Sequence, residues 1–256
     1  ECVGLNCEPT GQFAHNPEPL PSHLVDLCRT VADEKADLGI AVDPDVDRLA
    51  LVCEDGSFFG EEYTLVSVAD YVLSKRPGPT VSNLSSSRAL RDVTEARGCT
   101  YTAAAVGEVN VTAEMKRTGA VIGGEGNGGV IVPDLHYGRD ALIGIALFLS
   151  SIAESGKKVS ALRESLPRYS ISKNRIELSD KALIDRVLAE VKNAYASERI
   201  TDIDGVKIDF DKERMWVHLR RSNTEPIIRV YSEAEDEAKA EMIASDVMAM
   251  VKTIIG

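Results

Sequence analysis

Three aspartates at alternate positions, Asp43, Asp45 and Asp47, stand between two apolar runs of the chain. The runs cover residues 38–42 and 49–53, and they predict two strands joined by a tight loop. Such a loop can turn its carboxylates toward one point, where they repel one another unless a cation lies among them. Because hard oxygen ligands suit Mg²⁺, we predict that the three aspartates bind a magnesium ion. A solvated acidic turn is the alternative, since Asp and Pro are common turn residues.

The composition is that of an ordinary globular protein, and its charge limits the partners. The chain has 256 residues and a formal net charge of −12. This charge argues against nucleic acid, because proteins that bind nucleic acid usually carry a basic face. We expect no membrane partner and a cytoplasmic location, because no apolar run approaches the ~20 residues of a membrane span and no signal peptide is recognisable. The five scattered cysteines, without C-x-x-C spacing, are expected to be reduced thiols.

Periodic patterns of apolar residues predict alternating helices and strands up to about residue 155. The predicted helices cover 24–36, 61–75, 88–97, 109–117 and 139–153. The strands predicted after the hairpin cover 80–84, 100–104, 120–122 and 130–133. Ser22 is the expected N-cap of the first helix. Because the elements alternate over short connections, the pattern favours an α/β fold with a largely parallel sheet.

The pattern changes near Pro167, after which strands dominate. They are predicted over 169–178, 205–210, 215–221 and 227–232, with helices over 180–196 and 235–254. Trp216 lies in an apolar strand and is expected in the core. This part of the chain predicts an α+β domain, with a domain boundary near 155–168.

A second loop, residues 123–129, contains five glycines in seven residues and joins two β-like runs. Glycine lets the backbone approach a ligand closely. Glu125 and Asn127 lie two residues apart and can face the same way, and a carboxylate beside an amide is a good pair for recognising hydroxyl groups. The loop does not match a Walker A or a dinucleotide-binding motif. A flexible turn is the alternative.

A third loop, residues 220–226, lies between two predicted strands and reads Arg-Arg-Ser-Asn-Thr-Glu-Pro. Arginine offers planar, paired donors to phosphate oxygens, and hydroxyls and loop amides can add to them. The loop is therefore a candidate phosphate clamp, with a polar hairpin tip as the alternative. Together the three loops indicate an enzyme that acts on a sugar phosphate.

In this order and spacing, DPDVDR, GGEGNGG and RRSNTEP resemble the motifs of the α-D-phosphohexomutases, which include phosphoglucomutases, phosphomannomutases and phosphoglucosamine mutases. Residues 106–111 and 136–142 look most like the phosphoglucosamine mutase branch. The resemblance implies mixed-sheet α/β domains followed by a smaller α+β C-terminal domain. It assigns residues 1–54 to the end of domain two with the metal loop, 55–160 to domain three with the sugar loop, and 161–256 to domain four with the phosphate loop.

The resemblance also assigns roles to residues of the three loops. It maps the aspartates onto the Mg²⁺ ligands, and Arg48 onto a catalytic residue that helps to hold the active-site phosphate. It maps Glu125 and Asn127 onto the sugar-hydroxyl loop, where the family more often has serine in the second place. The residues that match the clamp on the non-reacting phosphate are Arg220, Ser222, Asn223 and Thr224.

The implied activity is that of a Mg²⁺-dependent isomerase that interconverts hexose 6-phosphate and hexose 1-phosphate through a bisphosphate intermediate. Glucosamine phosphate is the expected substrate, with glucose or mannose phosphate as alternatives. Two other functions are weighed against it. One is a phosphatase-like hydrolase with an aspartyl nucleophile, and the other is a non-catalytic module that binds a sugar phosphate.

The phosphoserine that the family uses has no counterpart in the chain. The segment 13–17 imitates its motif, but Ala14 stands in the place of the nucleophile and has no hydroxyl group. The resemblance places this segment in domain two. We therefore expect that the first domain is absent, that the chain begins inside a longer protein, and that it is inactive alone. That first domain is then a partner, and an oligomer is left open.

Some polar residues near these loops receive weaker predictions. Arg88 is expected on the surface of its helix. Asp140 either binds a ligand, together with His136 and Arg139, or caps the following helix. Glu108 either caps a helix or contacts the sugar.

Overall fold

The computed structural model of the protein describes residues 1–177, 183–222 and 226–255. Contacts divide the chain into two units. The first comprises residues 1–103 and 107–167, and the second comprises residues 104–106 and 168–256.

The first unit contains the predicted hairpin. Strands β1 (Leu38–Val42) and β2 (Leu49–Cys53) pair antiparallel, with Val42 opposite Leu49, so the acidic motif is the hairpin loop. Helix α1 (Val25–Glu34) precedes them. The prediction of Ser22 as its N-cap is wrong, because Pro21 starts a separate 3₁₀ turn (Pro21–His23) that contains Ser22. Leu24 precedes α1 without a side-chain cap.

A mixed four-stranded sheet follows, which confirms the predicted fold class. Its order is β4-β3-β5-β6, with β3 parallel to β5 and β6 antiparallel to β5. The elements are α2 (Glu61–Lys75), β3 (Thr80–Asn83), α3 (Ala89–Ala96), β4 (Tyr101–Ala104), α4 (Glu108–Thr118), β5 (Ile122–Glu125), β6 (Gly129–Ile131), α5 (Ala141–Ser155) and α6 (Val159–Glu164). Among the described elements of this sheet region, only the six-residue α6 was not predicted from the sequence.

Helix α2 holds the strands that carry two of the candidate loops. It packs on β2, β5 and β6 and against α3 and α5. Leu65 and Leu73 of α2 are fully buried, and Phe59 meets Phe148 of α5 edge to face at 5.2 Å between ring centroids. Each such buried side chain contributes about 1.5–3 kcal/mol of transfer free energy. The packing of α2 therefore holds in place the strand ends from which these two loops start.

The second unit is an α+β fold, as predicted. Its strands are β7 (Ser170–Glu177), β8 (Arg199–Thr201), β9 (Val206–Phe210), β10 (Met215–Arg221) and β11 (Ile227–Ala234). They form an antiparallel sheet in the order β7-β11-β10-β9-β8. Apolar residues of the sheet, such as Val217 and Val230, pack with residues of α7 (Leu183–Ala194) and α8 (Glu237–Ile255). Trp216 is fully buried, which confirms its predicted place in the core.

Among the helices that the structure describes, none has the length and apolar character needed to cross a bilayer.

The acidic hairpin loop contains a strained residue. Val46 has a φ of 57°, a left-handed conformation that a β-branched residue rarely adopts. Its N–H donates to the carbonyl of Asp43 at 3.0 Å, and its own carbonyl accepts from the N–H of Ala141 at 3.0 Å. These two hydrogen bonds hold the loop in its turn and tie it to the start of α5, at a cost in backbone energy.

Replacing Val46 by asparagine is expected to raise the free energy of unfolding by about 1 kcal/mol, because asparagine tolerates the left-handed region. Urea unfolding of the Val46→Asn chain measures this gain. Val25 is an equally apolar exposed residue in the regular backbone of α1, so Val25→Asn is the control and should bring no gain. A clear loss of stability in Val46→Asn would contradict the assignment of strain.

A histidine is buried in the sheet of the second unit. His218 is 1% exposed, and its Nε2–H donates to the carbonyl of Asp204 at 2.6 Å. Burial is the main cause that lowers the pKa of His218 to about 4, and it outweighs the favourable carbonyl contact. The native state therefore keeps this imidazole neutral down to low pH.

The buried imidazole should make the protein lose stability as the pH falls from about 6.5 to 4. In this range the unfolded chain binds a proton at His218 and the native chain does not, which costs up to about 3 kcal/mol. Unfolding of His218→Gln at several pH values should show a shallower slope here. The matched control is His15→Gln, which removes an exposed histidine. Equal slopes in all three chains would contradict the prediction.

Candidate functional site

The acidic loop closes around Asp43, which is the most buried of its three aspartates. Asp43 is 5% exposed, and its Oδ1 accepts the backbone N–H groups of Asp47 at 3.0 Å and Arg48 at 3.1 Å. Asp43 thus fixes the course of the loop and brings the side chain of Asp47 next to its own.

The neighbouring carboxyl groups of Asp43 and Asp47 shift in opposite directions. Burial raises the pKa of Asp47 most, and the adjacent Asp43 adds to this, while Arg139 partly offsets it. Burial also acts to raise the pKa of Asp43, but hydrogen bonds from the Arg48 and Asp47 amides and from the Asp47 side chain outweigh it, so that pKa is lowered. Of the two carboxyl groups, that of Asp43 therefore has the lower pKa.

The third aspartate does not join this pair. Asp45 is exposed at the tip of the loop, beside the left-handed Val46. Within the described ranges, no three His, Cys, Asp or Glu side chains are grouped closely enough to hold a metal ion. The structure brings two of the three predicted metal ligands together, and Asp45 would have to turn inward to complete them.

The chemistry of the pair nevertheless fits a hard cation. Asp47 Oδ1 is buried and has no hydrogen-bond partner among the residues that the structure describes. A buried carboxylate oxygen without a partner is costly, and a divalent ion is the kind of ligand that satisfies it. This oxygen, with the adjacent Asp43 carboxylate, is a donor set that suits Mg²⁺ or a similar ion.

Arg48 lies beside the two carboxylates, as the sequence predicted from the motif. Its Nε is 3.5 Å from Asp43 Oδ2 and 3.6 Å from Asp47 Oδ1. Its Nη1 forms an ion pair with Glu18 from the N-terminal loop. Glu18 was not predicted, because nothing in its local sequence marks a partner that is thirty residues away.

The glycine-rich loop is the turn of the β5-β6 hairpin, and it is held tightly. The carbonyl of Gly128 accepts from the N–H of Leu49 at 3.1 Å, so the loop is bonded to β2, next to the acidic loop. Gly128 has a φ of 86°, and a Cβ there would lie 2.3 Å from the Leu49 carbonyl oxygen. Glycine is required for this approach, which argues against a merely flexible turn.

The two polar residues of this loop have different surroundings. Glu125 is 5% exposed, and its Oε1 accepts from Asn83 Nδ2 at 2.7 Å and from the Gly107 N–H at 3.1 Å. Asn127 is half-buried, and its Oδ1 accepts the N–H of Gly129 at 3.2 Å. Glu125 is therefore anchored to the ends of neighbouring elements, whereas Asn127 stabilises the turn itself.

The segment after β3 is hydrogen-bonded to the glycine-rich loop. Asn83 Oδ1 accepts from the Ser86 hydroxyl at 3.1 Å, and that hydroxyl oxygen accepts the Gly126 N–H at 2.9 Å. Arg88 follows in the same segment and is 8% exposed, with Asp92 3.7 Å away. The prediction that Arg88 lies on the surface is wrong, because it precedes α3 in a connection that is enclosed at the end of the sheet.

Arg139 joins the acidic loop to the glycine-rich loop. Its Nη2 donates to Asp47 Oδ2 at 2.5 Å, its Nη1 to Glu125 Oε2 at 2.7 Å, and its Nε to Glu108 Oε2 at 2.9 Å. All three nitrogens of the guanidinium group are thus engaged, and the side chain is 15% exposed. The arrangement leaves Glu108 as an ion-pair partner at the start of α4.

From the sequence, the role of Arg139 stays open, and the predicted helix starts at this residue. The helix starts two residues later, and Asp140 is its N-cap, accepting the N–H groups of Leu142 at 2.8 Å and Ile143 at 3.1 Å. Asp140 Oδ2 also lies 3.0 Å from His136 Nε2. The capping alternative for Asp140 is therefore confirmed. An N-cap signal at 140 was the clue that Arg139 lies outside the helix.

The candidate phosphate loop belongs to the second unit and follows β10. Ser222 is buried, and its N–H donates to the Ile227 carbonyl at 3.0 Å. Among the residues that the structure describes, none is a hydrogen-bond partner of the buried Arg220 Nε, whereas Arg221 donates to Asp185 at 2.6 Å. The predicted clamp residues Asn223 and Thr224 lie outside the described residues.

Family comparisons cover almost the whole chain. Three family models match: phosphoglucomutase/phosphomannomutase domain II over residues 1–56, domain III over 60–169, and the C-terminal domain over 175–250. A protein of Methanopyrus kandleri named "Probable phosphoglucosamine mutase" is 35% identical, with 100% of this chain and 57% of that protein covered. A "Phosphoglucomutase/phosphomannomutase" of Thermococcus kodakarensis is 39% identical, with 93% and 52% covered.

A comparison with solved structures finds the same family. The chain is similar to a phosphoglucomutase/phosphomannomutase family protein from Burkholderia thailandensis, with a TM-score of 0.80 and 28% identity. The match covers 94% of this chain and 52% of that one. The chain thus spans about half the length of the relatives it matches. Matched from its first residues to residue 250 and with the same domain architecture, this chain belongs to the phosphoglucomutase/phosphomannomutase family of phosphohexomutases.

Proposed function

We propose that this chain is the cation- and sugar-binding part of a mutase that interconverts hexose 6-phosphate and hexose 1-phosphate through a bisphosphate. The observation that carries the proposal is that one guanidinium group, that of Arg139, binds both Asp47 of the acidic loop and Glu125 of the glycine-rich loop. The proposed cation ligands and the proposed hydroxyl-recognising groups therefore lie side by side in the first unit. We propose glucosamine phosphate as the sugar, supported by the name of the Methanopyrus relative.

The acidic loop would hold the metal, which we propose to be Mg²⁺. Its ligands would be Asp43, Asp47 and, after turning inward, Asp45. Bound there, the ion would act as a Lewis acid and neutralise charge on the reacting phosphate. Arg48 would hold that phosphate, because a guanidinium group matches phosphate oxygens in pairs and Glu18 keeps this one in place.

The remaining predicted residues would bind the rest of the substrate. Glu125 and Asn127 would receive sugar hydroxyls, and the clamp on the distal phosphate would consist of Arg220, Ser222, Asn223 and Thr224. The Nε of Arg220 supports this role, because it is buried without a hydrogen bond from the described part of the chain, and an anion stabilises a buried guanidinium nitrogen.

The phosphoryl group would have to come from outside these residues. Ala14 replaces the nucleophile in the one segment that imitates the phosphoserine motif. We propose that a first domain with that serine completes the enzyme, in the cytoplasm. The location is supported by the cysteines, all five of which are free thiols.

The chain alone should not interconvert glucosamine 6-phosphate and glucosamine 1-phosphate, whereas a protein extended by a serine-bearing first domain should. Phosphorus NMR with Mg²⁺ and a catalytic amount of hexose bisphosphate distinguishes the two phosphate positions. The same assay with glucose and mannose phosphates tests the sugar. Turnover by the chain alone would show that no first domain is needed. A preference for glucose or mannose phosphate would contradict glucosamine phosphate as the proposed substrate.

Removing the guanidinium group of Arg220 should weaken substrate binding more than it slows the reaction. In the extended protein, Arg220→Gln is expected to raise KM by about 10- to 100-fold with little change in kcat, because the clamp holds the phosphate that does not react. Arg221 is the matched control, since it pairs with Asp185 and Arg221→Gln should leave both constants near their parent values. A fall in kcat alone would contradict the clamp.

A further inference from the structure

Arg139 is held in place by its backbone neighbours on both sides of the site. The N–H of Asp140 donates to the Val130 carbonyl of β6 at 2.9 Å, and the N–H of Ala141 donates to the Val46 carbonyl of the acidic loop at 3.0 Å. The residues that follow Arg139 are thus bonded to both hairpins. These backbone hydrogen bonds position Arg139 independently of its ion pairs.

The stem of the side chain crosses the glycine-rich hairpin at close range. A Cβ at Gly129 would lie 2.4 Å from Arg139 Cδ, which is nearer than any real contact allows. A Cβ at this position would therefore displace the Arg139 side chain, and glycine leaves room for it.

The fork of the guanidinium group is what makes the bridge. Its two terminal nitrogens point to Asp47 and Glu125, and its inner nitrogen points to Glu108. A lysine carries the same charge but only one nitrogen on a flexible stem, so it cannot hold three carboxylates in fixed directions. The geometry, and not only the charge, therefore fixes where these carboxylates lie.

We propose that Arg139 is a positioning residue that couples the acidic loop to the glycine-rich loop. It sets the place of the Asp47 carboxylate relative to that of Glu125, so the cation site and the hydroxyl site keep a constant separation. This inference rests on the proposed function. Arg139 touches no reacting atom and acts through Asp47 and Glu125.

The experiment measures Mn²⁺ binding to the chain by electron paramagnetic resonance. Two variants disturb the bridge without changing the net charge: Arg139→Lys removes the fork, and Gly129→Ala displaces the stem. Both are expected to weaken Mn²⁺ binding by about 10-fold, the size of effect that follows the loss of a partner that orients a metal ligand. The control is Arg117→Lys, because Arg117 forms an equally close pair with Glu114 on an exposed surface of α4. Binding within twofold of the parent in both bridge variants would overturn the proposal.

A second measurement tests, without metal, whether Arg139 couples Asp47 to Glu125. Asp47→Asn and Glu125→Gln are made singly and together, and the shifts of the urea midpoint are compared. Coupling through Arg139 predicts that the two shifts are not additive in the parent chain and become additive in Arg139→Lys. Additive shifts in both backgrounds would overturn the coupling. If the parent chain fails to bind Mn²⁺, the proposed metal site fails, and this second measurement alone decides on Arg139.

Discussion

One guanidinium group among three carboxylates is the interaction on which the candidate site depends. The three carboxylates belong to separate segments of the chain: Asp47, Glu108 and Glu125. Each carries a negative charge that would repel the others if Arg139 were absent. Because the group is largely buried, its attraction is screened less than that of a surface pair. The ion pairs therefore specify the arrangement of the loops, beyond any contribution they make to stability.

Backbone contacts prepare this arrangement. The glycine-rich hairpin is bonded to β2 through Gly128 and Leu49, and the acidic loop is bonded to α5 through Val46 and Ala141. Each contact needs an unusual residue conformation, a glycine with positive φ in the first case and a strained valine in the second. The fold accepts these local costs because α2 packs firmly across the strands beneath them.

Local sequence patterns predicted most elements and failed where long-range pairing decides. The DPDVDR hairpin, the β5-β6 turn and the buried Trp216 follow from periodicity and turn chemistry, which act over a few residues. Ser22 was misplaced because Pro21 begins a turn of its own. The partners of Arg48 and Arg139 and the burial of Arg88 depend on distant segments. No local signal encodes them. Nor did alternation alone show that Asp45 stands apart from Asp43 and Asp47.

The most direct test of this account is a crystal structure of the chain soaked with Mn²⁺, with anomalous diffraction used to locate the ion. The account predicts a single strong peak at bonding distance from Asp43 and Asp47, with Arg139 still bound to Glu125. A manganese peak elsewhere would contradict this prediction. So would the absence of a peak at the acidic loop, with Asp47 bound only by Arg139.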